Sequence, residues 1–302
     1  MLERSPRRFI AGLALLTPFA LAGCGGGGGA GTGELTLGVT DAPVDDATHI
    51  YVEFDGVTLQ PASGQRVSIT YDEPRQIDLL DLQGSQRELL LDDRTLPAGR
   101  YNWARLDVNT SGTMDTYLVL DDGSEHELTI PSGAETGLKL TGGFGVPAGG
   151  QADFTVDFDL RKSVVRSSSG TGYKLRPTLR LVDNGEAGAI HAAVTGVSNC
   201  PHGDQDGPAV YVFDAGATPD DLDTSDTGDI DPITTARLQD GDADGTYDAT
   251  VGFLAADTYT VAVTCTAADD VPDANDDGVT FQGTADVTVR ADETASYSHA
   301  IQ

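Results

Sequence analysis

Apolar and polar residues alternate in short runs along most of the chain, and this period of two restricts the fold more than any other feature. Residues 35–39 and 50–54 alternate in this way, and turn-forming glycine, proline, aspartate and asparagine separate such runs. Successive side chains of a β-strand point to opposite faces, so the pattern predicts strands with one buried face. Two sheets packed face to face bury such strands, and we therefore predict an all-β protein built from β-sandwiches.

Residues 1–23 have the composition of an export signal. Arginines at the start precede an apolar run at residues 9–21 that is too short to cross a bilayer. The run ends in Leu21-Ala22-Gly23-Cys24, which matches the bacterial lipoprotein pattern of an aliphatic residue, two small residues and a cysteine that becomes acylated. We predict a lipid on Cys24 and, because Gly25 follows it, attachment to the outer membrane of the bacterial cell envelope. The alternative is an ordinary secretory peptide with a cysteine near its cleavage point.

Composition divides the remaining chain into a tether and two domains. Residues 24–33 are mostly glycine, which makes a flexible connector. Residues 25–185 carry 24 acidic and 13 basic side chains, whereas residues 186–302 carry 23 acidic and only two basic ones. This shift predicts one β-sandwich at residues 34–185 and a second, more acidic one at residues 186–302.

The formal net charge of −30 restricts the partners of the chain. A surface this acidic repels nucleic acid and anionic membrane surfaces, because binding to them needs clustered lysine and arginine. We therefore exclude nucleic acid as a partner. The acidity has two further interpretations, which are solubility, as in a salty habitat, and the binding of divalent cations.

Two cysteines remain once Cys24 is assigned to the lipid. An export signal places Cys200 and Cys265 in an oxidising compartment, where a remaining pair normally forms a disulfide. The alternative is a pair of free thiols or metal ligands, which no neighbouring CxxC motif or histidine cluster supports. We predict a structural disulfide between Cys200 and Cys265, worth roughly 4 kcal/mol through restriction of the unfolded chain.

Six segments of the first predicted domain resemble a known family. They occur in the family's order, at residues 35–43, 57–59, 77–80, 96–101, 157–160 and 173–177. Over about residues 34–183 the chain is similar to the bacterial lipoprotein family catalogued as domain of unknown function 4382. The resemblance implies a bacterial lipoprotein, and it implies no activity or catalytic residue.

The second predicted domain resembles a different kind of module. Residues 244–247, 253–254 and 258–261 are similar to the turn, strand, tight loop and strand of transthyretin-like β-sandwiches in carboxypeptidase-regulatory and carbohydrate-binding-like proteins. Ala255, Ala256 and Asp257 stand where those modules usually have Pro-Ala-Gly. The resemblance covers roughly residues 188–302, and the two sandwiches are thus expected to be immunoglobulin-like or transthyretin-like.

Two acidic runs match the first half of a calcium-binding loop. Each places carboxylate or amide oxygens at the first, third and fifth positions and glycine at the sixth, where calcium loops have them. The residues are Asp240, Asp242 and Asp244 in one run and Asp273, Asn275 and Asp277 in the other. The twelfth positions are Val251 and Thr284 instead of glutamate, so neither run is a complete EF-hand. The alternative to Ca²⁺ binding is that both runs are polar turns.

Tyr101, Trp103 and Arg105 form a candidate sugar-binding platform. In a regular strand these residues share one face, while Ala104 and Leu106 share the other. A flat aromatic ring stacks on the apolar face of a sugar, and arginine donates to its hydroxyls. The alternative is that the two rings cover a second packed face of the sheet.

Motifs of known enzymes are absent from the sequence. There is no GxSxG, HExxH or phosphate-binding glycine loop, and the five histidines are scattered. We predict a non-enzymatic binding or scaffold module of the envelope or cell surface, with an envelope protein as partner. The alternatives are a polysaccharide-binding or adhesion protein, with or without calcium, and a glycan-processing enzyme that uses two carboxylates.

Overall fold

The computed structural model describes residues 31–42, 47–131, 137–167, 172–201, 203, 207–223, 230–272 and 278–302. Strands dominate these residues, and the single α-helix among them, α1, is Leu160–Ser163. The predicted all-β class is therefore confirmed. No helix in the described ranges is long and apolar enough to cross a membrane.

Strands β1 to β13 form the first half of the protein. Their bounds are β1 Thr32–Ala42, β2 Ala47–Pro61, β3 Val67–Asp78, β4 Glu88–Pro97, β5 Gly99–Val108, β6 Tyr117–Leu120, β7 Glu125–Thr129, β8 Leu138–Leu140, β9 Phe144–Val146, β10 Gln151–Asp159, β11 Val164–Arg166, β12 Tyr173–Leu175 and β13 Leu179–Asp183. Helix α1 lies between β10 and β11.

The first half is a sandwich of two unequal sheets. The smaller sheet has the order β13-β10-β1-β4, with β1 parallel to β10 and antiparallel to β4. The larger sheet has nine strands in the order β11-β12-β7-β6-β2-β5-β8, with β3 paired to β2 and β9 to β5. Leu35 and Leu37 of β1 are buried in one core with Val52 and Phe54 of β2, as their alternation predicts. Strands β6 and β5 pair with successive segments of β2, and the larger sheet continues through β7 and β12 to β11.

Strands β14 to β20 form the second half. Their bounds are β14 Ala187–Thr195, β15 Ala209–Asp214, β16 Thr234–Arg237, β17 Thr246–Ala255, β18 Thr258–Thr264, β19 Phe281–Thr288 and β20 Thr294–Ala300. One sheet has the order β17-β14-β20 and the other β16-β15-β18-β19. Ile190, Val212 and Val261 are buried in the core of this half.

A disulfide crosslinks the two sheets of the second half. Cys200 follows β14 after the 3₁₀ turn Val197–Asn199, and Cys265 directly follows β18. The two Sγ atoms are bonded, which is the pairing that the sequence predicts. Because β14 and β18 belong to different sheets, the bond holds the sandwich together at one end.

Candidate functional site

Helix α1 of the first half positions an arginine whose side chain binds groups of the second half. Asp159 caps the helix by accepting a hydrogen bond from the backbone N–H of Lys162 (3.1 Å). The Arg161 side chain is only 4% exposed. Its guanidinium donates to the hydroxyl of Tyr211 (2.7 Å) and to the carbonyl oxygens of Ala267 (3.2 Å) and Asp270 (3.0 Å). All three acceptors belong to the second half.

Asp270 completes a network that we call the junction triad, formed by Arg161, Tyr211 and Asp270. Arg161 Nη1 lies 3.1 Å from Asp270 Oδ2, and the Tyr211 hydroxyl donates to that same oxygen. The other carboxylate oxygen accepts from the backbone N–H of Leu222 (3.1 Å). Burial raises the pKa of Asp270 against the opposing charge of Arg161, and burial also raises the pKa of Tyr211 well above its usual value. Tyr211 therefore stays protonated as a donor.

The backbones of the two halves also approach each other closely at a pair of glycines. A Cβ added at Gly252 of β17 would lie 2.3 Å from the carbonyl oxygen of Gly84 in the first half. Only glycine permits this approach of two backbones. Lys162 adds a third contact, since its Nζ donates to the carbonyl oxygen of Pro232 (2.9 Å).

A cavity of about 440 Å³ opens beside the junction triad, and we call it the junction cavity. Both halves line it, and the lining from the larger sheet of the first half comes from β2, β6, β11 and β12. Its apolar lining includes Ile50, Leu118, Leu120, Val164, Tyr173, Val271 and Pro272. Its charged lining is Asp121, Asp122, Arg161, Lys162, Arg166 and Asp270.

Several charged groups around the junction cavity are already engaged. Arg161 and Asp270 bind one another, and Lys162 Nζ lies 3.5 Å from Asp159 and 3.7 Å from Asp231. The guanidinium of Arg166 lies over the ring of Tyr173, as in a cation–π contact. The cavity therefore offers an apolar wall with charges at its edge.

Tyr101 does not belong to the sugar platform that the sequence predicts. Its side chain is only 1% exposed and stacks on Phe144, with ring centroids 5.1 Å apart. Its hydroxyl donates to the carbonyl oxygen of Pro97 (2.8 Å). Tyr101 is thus a core residue, and the prediction of a three-residue platform is wrong.

A register irregularity between β2 and β5 is the physical reason. Gln60 pairs with Trp103, whereas the next residue, Pro61, pairs with Tyr101. Asn102 is therefore an extra residue on β5, and it interrupts the alternation of side chains between the two faces. Without the bulge, Tyr101 and Trp103 would share a face.

Trp103 and Arg105 remain on the outer face of the larger sheet. Trp103 is half-buried, with the guanidinium carbon of Arg66 5.2 Å and Lys139 Nζ 4.6 Å from its ring centroid. Arg105 donates through Nε to Asp107 (2.5 Å). Trp103 therefore lies among cations, which the sequence pattern did not predict.

Three of the predicted calcium ligands come together. One oxygen from each of Asp240, Asp242 and Asp244 lies within 4.8 Å of the others. Asp240 also accepts hydrogen bonds from the backbone N–H groups of Asp244 (3.1 Å) and Gly245 (3.1 Å), and Asp244 accepts one from Thr246 (2.7 Å). These bonds close the loop, so the cluster also fits a polar turn, and it supplies about half of the six to eight oxygens that Ca²⁺ prefers. Calcium binding stays a prediction.

The remaining predicted site residues lie outside the described part of the chain. They are Cys24, Asp273, Asn275 and Asp277.

The sequence did not reveal the junction triad or the junction cavity. The available signal was weak, namely an aspartate cap followed by the pair Arg161 and Lys162 at the end of a buried strand. Their partners lie between 50 and 109 residues further along the chain, and no local pattern encodes such a distance.

Comparisons with known proteins identify one family match. Residues 32–177 match the model of "Domain of unknown function (DUF4382)", which covers slightly less than half of the chain. The match lies in the first half, where the six segments resemble that family. No curated protein sequence matches the chain.

Several solved structures are similar over most of this chain, at low identity. A leucine-rich repeat protein from Bacteroides thetaiotaomicron is 12% identical, with 90% of this chain and 26% of that chain covered and a TM-score of 0.23. The minor pilin GBS52 of Streptococcus agalactiae is 10% identical, with 88% and 94% covered and a TM-score of 0.21. A putative cell adhesion protein from Bacteroides eggerthii is 12% identical, with 90% and 88% covered and a TM-score of 0.22. The chain spans about a quarter of the repeat protein, and TM-scores this low carry no functional argument.

Replacing Arg161 with leucine tests the junction triad. Arg161→Leu leaves the Asp270 carboxylate buried without its cation, and we expect a loss of about 3–5 kcal/mol in the free energy of unfolding, measured in urea. The double variant Arg161→Leu/Asp270→Leu removes both charges and should recover most of that loss. As a control, Arg290→Leu breaks the exposed pair with Glu293 and should cost less than about 1 kcal/mol. Equal effects of Arg161→Leu and Arg290→Leu would show that the triad does not hold the halves together.

Proposed function

We propose that this chain is a membrane-anchored lipoprotein of the bacterial envelope and that it acts as a non-enzymatic binding module. Its ligand occupies the junction cavity. The proposal rests on one observation. Both halves line an open, largely apolar cavity, and a buried ion pair beside it holds the two halves in place. Pockets for small ligands have this character, with volumes of about 300–1,000 Å³ and a few placed polar groups.

The cavity suits an apolar group of a ligand that also has a polar end. Leu118, Leu120 and Val164 supply apolar wall on the side of the first half, and Val271 and Pro272 supply it on the second. Val271 is 49% exposed, which is unusual for a large apolar side chain in this protein. Burying it under a ligand would remove apolar surface from water, at about 25 cal/mol per Å². Charged side chains at the edge would meet the polar end.

A structural role for the ionisable groups supports the non-enzymatic part of the proposal. A general acid or base must present a titrating atom to the substrate. The Arg161 guanidinium and the Asp270 carboxylate instead direct their atoms to each other, to Tyr211 and to backbone groups. They bind the two halves together, and binding a ligand needs no more from them.

The anchor follows from the tetrapeptide that ends in Cys24 and from the glycine-rich tether before β1. A lipid on Cys24, a glycine-rich link and a folded body would make a module that reaches its ligand while it stays in the membrane. Outer-membrane attachment and an envelope protein as a further partner belong to the same proposal.

Labelled palmitate tests the anchor. Cells that produce the wild-type chain should incorporate the label into it, and cells that produce Cys24→Ala should not, because the acylated thiol is missing. Gel autoradiography of the immunoprecipitated chain measures this. Cys200→Ser in the same cells should still be labelled, and equal labelling of wild type and Cys24→Ala would refute lipidation.

Filling the cavity tests the binding site. Leu120 lines the cavity, whereas its neighbour Val119 on β6 points to the opposite face of the sheet. The apolar fluorophore anilinonaphthalene sulfonate should bind the native wild-type chain with increased emission. Leu120→Trp should weaken this binding about tenfold, because overpacking a site typically costs about 1–3 kcal/mol.

Val119→Trp is the matched control, since it adds the same ring one residue away. It should bind the fluorophore as the wild type does. If both variants bind like the wild type, the fluorophore lies elsewhere and the cavity is not the binding site.

A further inference from the structure

The larger sheet carries a cluster of cations that contrasts with the acidity of the chain. Exposed Arg66 and Lys139 lie over the ring of half-buried Trp103 on the outer surface of this sheet, and exposed Arg100 precedes Trp103 by three residues on β5. We call these four residues the basic face. The chain as a whole has 48 acidic and 18 basic residues, so such a grouping needs an explanation.

The three cations of the basic face lack acidic partners. Within the described ranges, no carboxylate lies within ion-pair distance of Arg66, Arg100 or Lys139. The neighbouring Asp107 is already bound by Arg105 and by the hydroxyl of Thr58 (2.6 Å). The face therefore presents net positive charge to its surroundings.

The basic face lies at the end of the protein where the chain arrives from its tether. The backbone N–H of Ala98, in the turn between β4 and β5, donates to the carbonyl oxygen of Gly31 (2.6 Å). Arg100 follows two residues later, and its carbonyl oxygen accepts from Ala62 in the β2–β3 turn that leads to Arg66. Six residues lie between Cys24 and Gly31 in the sequence, so the chain length limits a lipid on Cys24 to within roughly 25 Å of this end.

We propose that the basic face docks onto the surface of an anionic phospholipid bilayer and so fixes the orientation of the protein on its membrane. This inference rests on the proposed lipid anchor. Tryptophan prefers the bilayer interface, where its ring meets both apolar and polar groups. Arginine and lysine beside it bind lipid phosphates of an anionic surface.

The overall charge of −30 predicts repulsion from anionic membranes, but the acidic second half does not prevent docking of this one face. Its contacts with strands of the first half include β16 against β1 and β17 against β13, both in the smaller sheet. The basic face is on the outer side of the other sheet, and packed sheets are about 10 Å apart. Since charges are screened over about 8–10 Å at physiological ionic strength, the lipid surface experiences mainly the nearest cations.

The geometry favours a lipid surface over a polysaccharide. A sugar stacks on an open aromatic face, but both Arg66 and Lys139 lie over the ring of Trp103. Their charges are directed at the place where the sugar ring would have to stack. Phosphate groups at a membrane surface need only these charges and no particular spacing.

Trp103 is the only tryptophan of the chain, so its fluorescence reports on the basic face directly. The mature protein, purified from cell membranes, is mixed with vesicles of phosphatidylcholine alone or with phosphatidylglycerol, each with and without brominated lipid. We expect bromine quenching and a blue shift of the Trp103 emission only in the vesicles that contain phosphatidylglycerol. Emission that is the same in both vesicle types would overturn the proposal.

Variants identify the cations responsible. Arg66→Gln and Lys139→Gln should each lower the docking equilibrium about fivefold, the effect of one basic residue at an anionic surface. Arg94→Gln removes an exposed cation from β4 of the smaller sheet and should leave docking unchanged. If Arg94→Gln weakens docking as much as the other two, only net charge matters and the basic face has no role.

Flotation of the vesicles separates this proposal from that of the anchor. A lipidated protein floats with both vesicle types whatever Trp103 reports, so flotation with unquenched Trp103 refutes the docking alone. Flotation only with phosphatidylglycerol, with Trp103 quenched, refutes the anchor and supports the basic face. Polygalacturonate, an acidic polysaccharide, is added in solution as a competitor. If it shifts the emission more strongly than the vesicles do, the face binds polysaccharide and the lipid proposal is wrong.

Discussion

A buried ion pair between Arg161 and Asp270 joins the two halves of this protein, and the position of everything at the junction depends on it. Taking two charges out of water costs several kcal/mol for each ion, and their attraction repays this only when the remaining hydrogen bonds are made. Here Tyr211, Leu222 and two backbone carbonyls make those bonds. Such a pair adds little net stability compared with apolar side chains, but it strongly disfavours arrangements in which either charge is buried alone. Its contribution is thus to specify how the two sandwiches meet.

The junction cavity lies between the larger sheet of the first half and the second half. Strands of the nine-stranded sheet supply an apolar wall, and the second half lies beside this wall. The second half covers part of this wall and leaves an opening lined by Leu120 and Val271. A ligand site between two bodies requires that both stay in place, which the junction triad accomplishes. The basic face, on the outer side of the larger sheet, is the separate surface that we propose for the membrane.

The features that the sequence predicted correctly are those that depend on a local pattern of residues. The alternation at residues 35–39 predicted β1, because one buried face requires a period of two, and the export context predicted the disulfide of Cys200 and Cys265. The prediction for Tyr101 failed for a local reason that a single sequence does not reveal. One extra residue in β5 moves Tyr101 to the face opposite that of Trp103. The triad escaped prediction for a different reason. Arg161 and Asp270 are each ordinary in sequence, and only the tertiary fold brings them to 3.1 Å.

The most direct test of this account is the distance between the halves. Spin labels at Thr95→Cys on β4 and Ser298→Cys on β20 occupy exposed positions, one in each half, and double electron–electron resonance measures the distribution of distances between them. If the junction triad holds the halves as one body, the wild-type background gives a single narrow distribution. The Arg161→Leu background then gives a broad one. A broad distribution in both backgrounds would show that the halves move independently, and the junction cavity would then not be a persistent site.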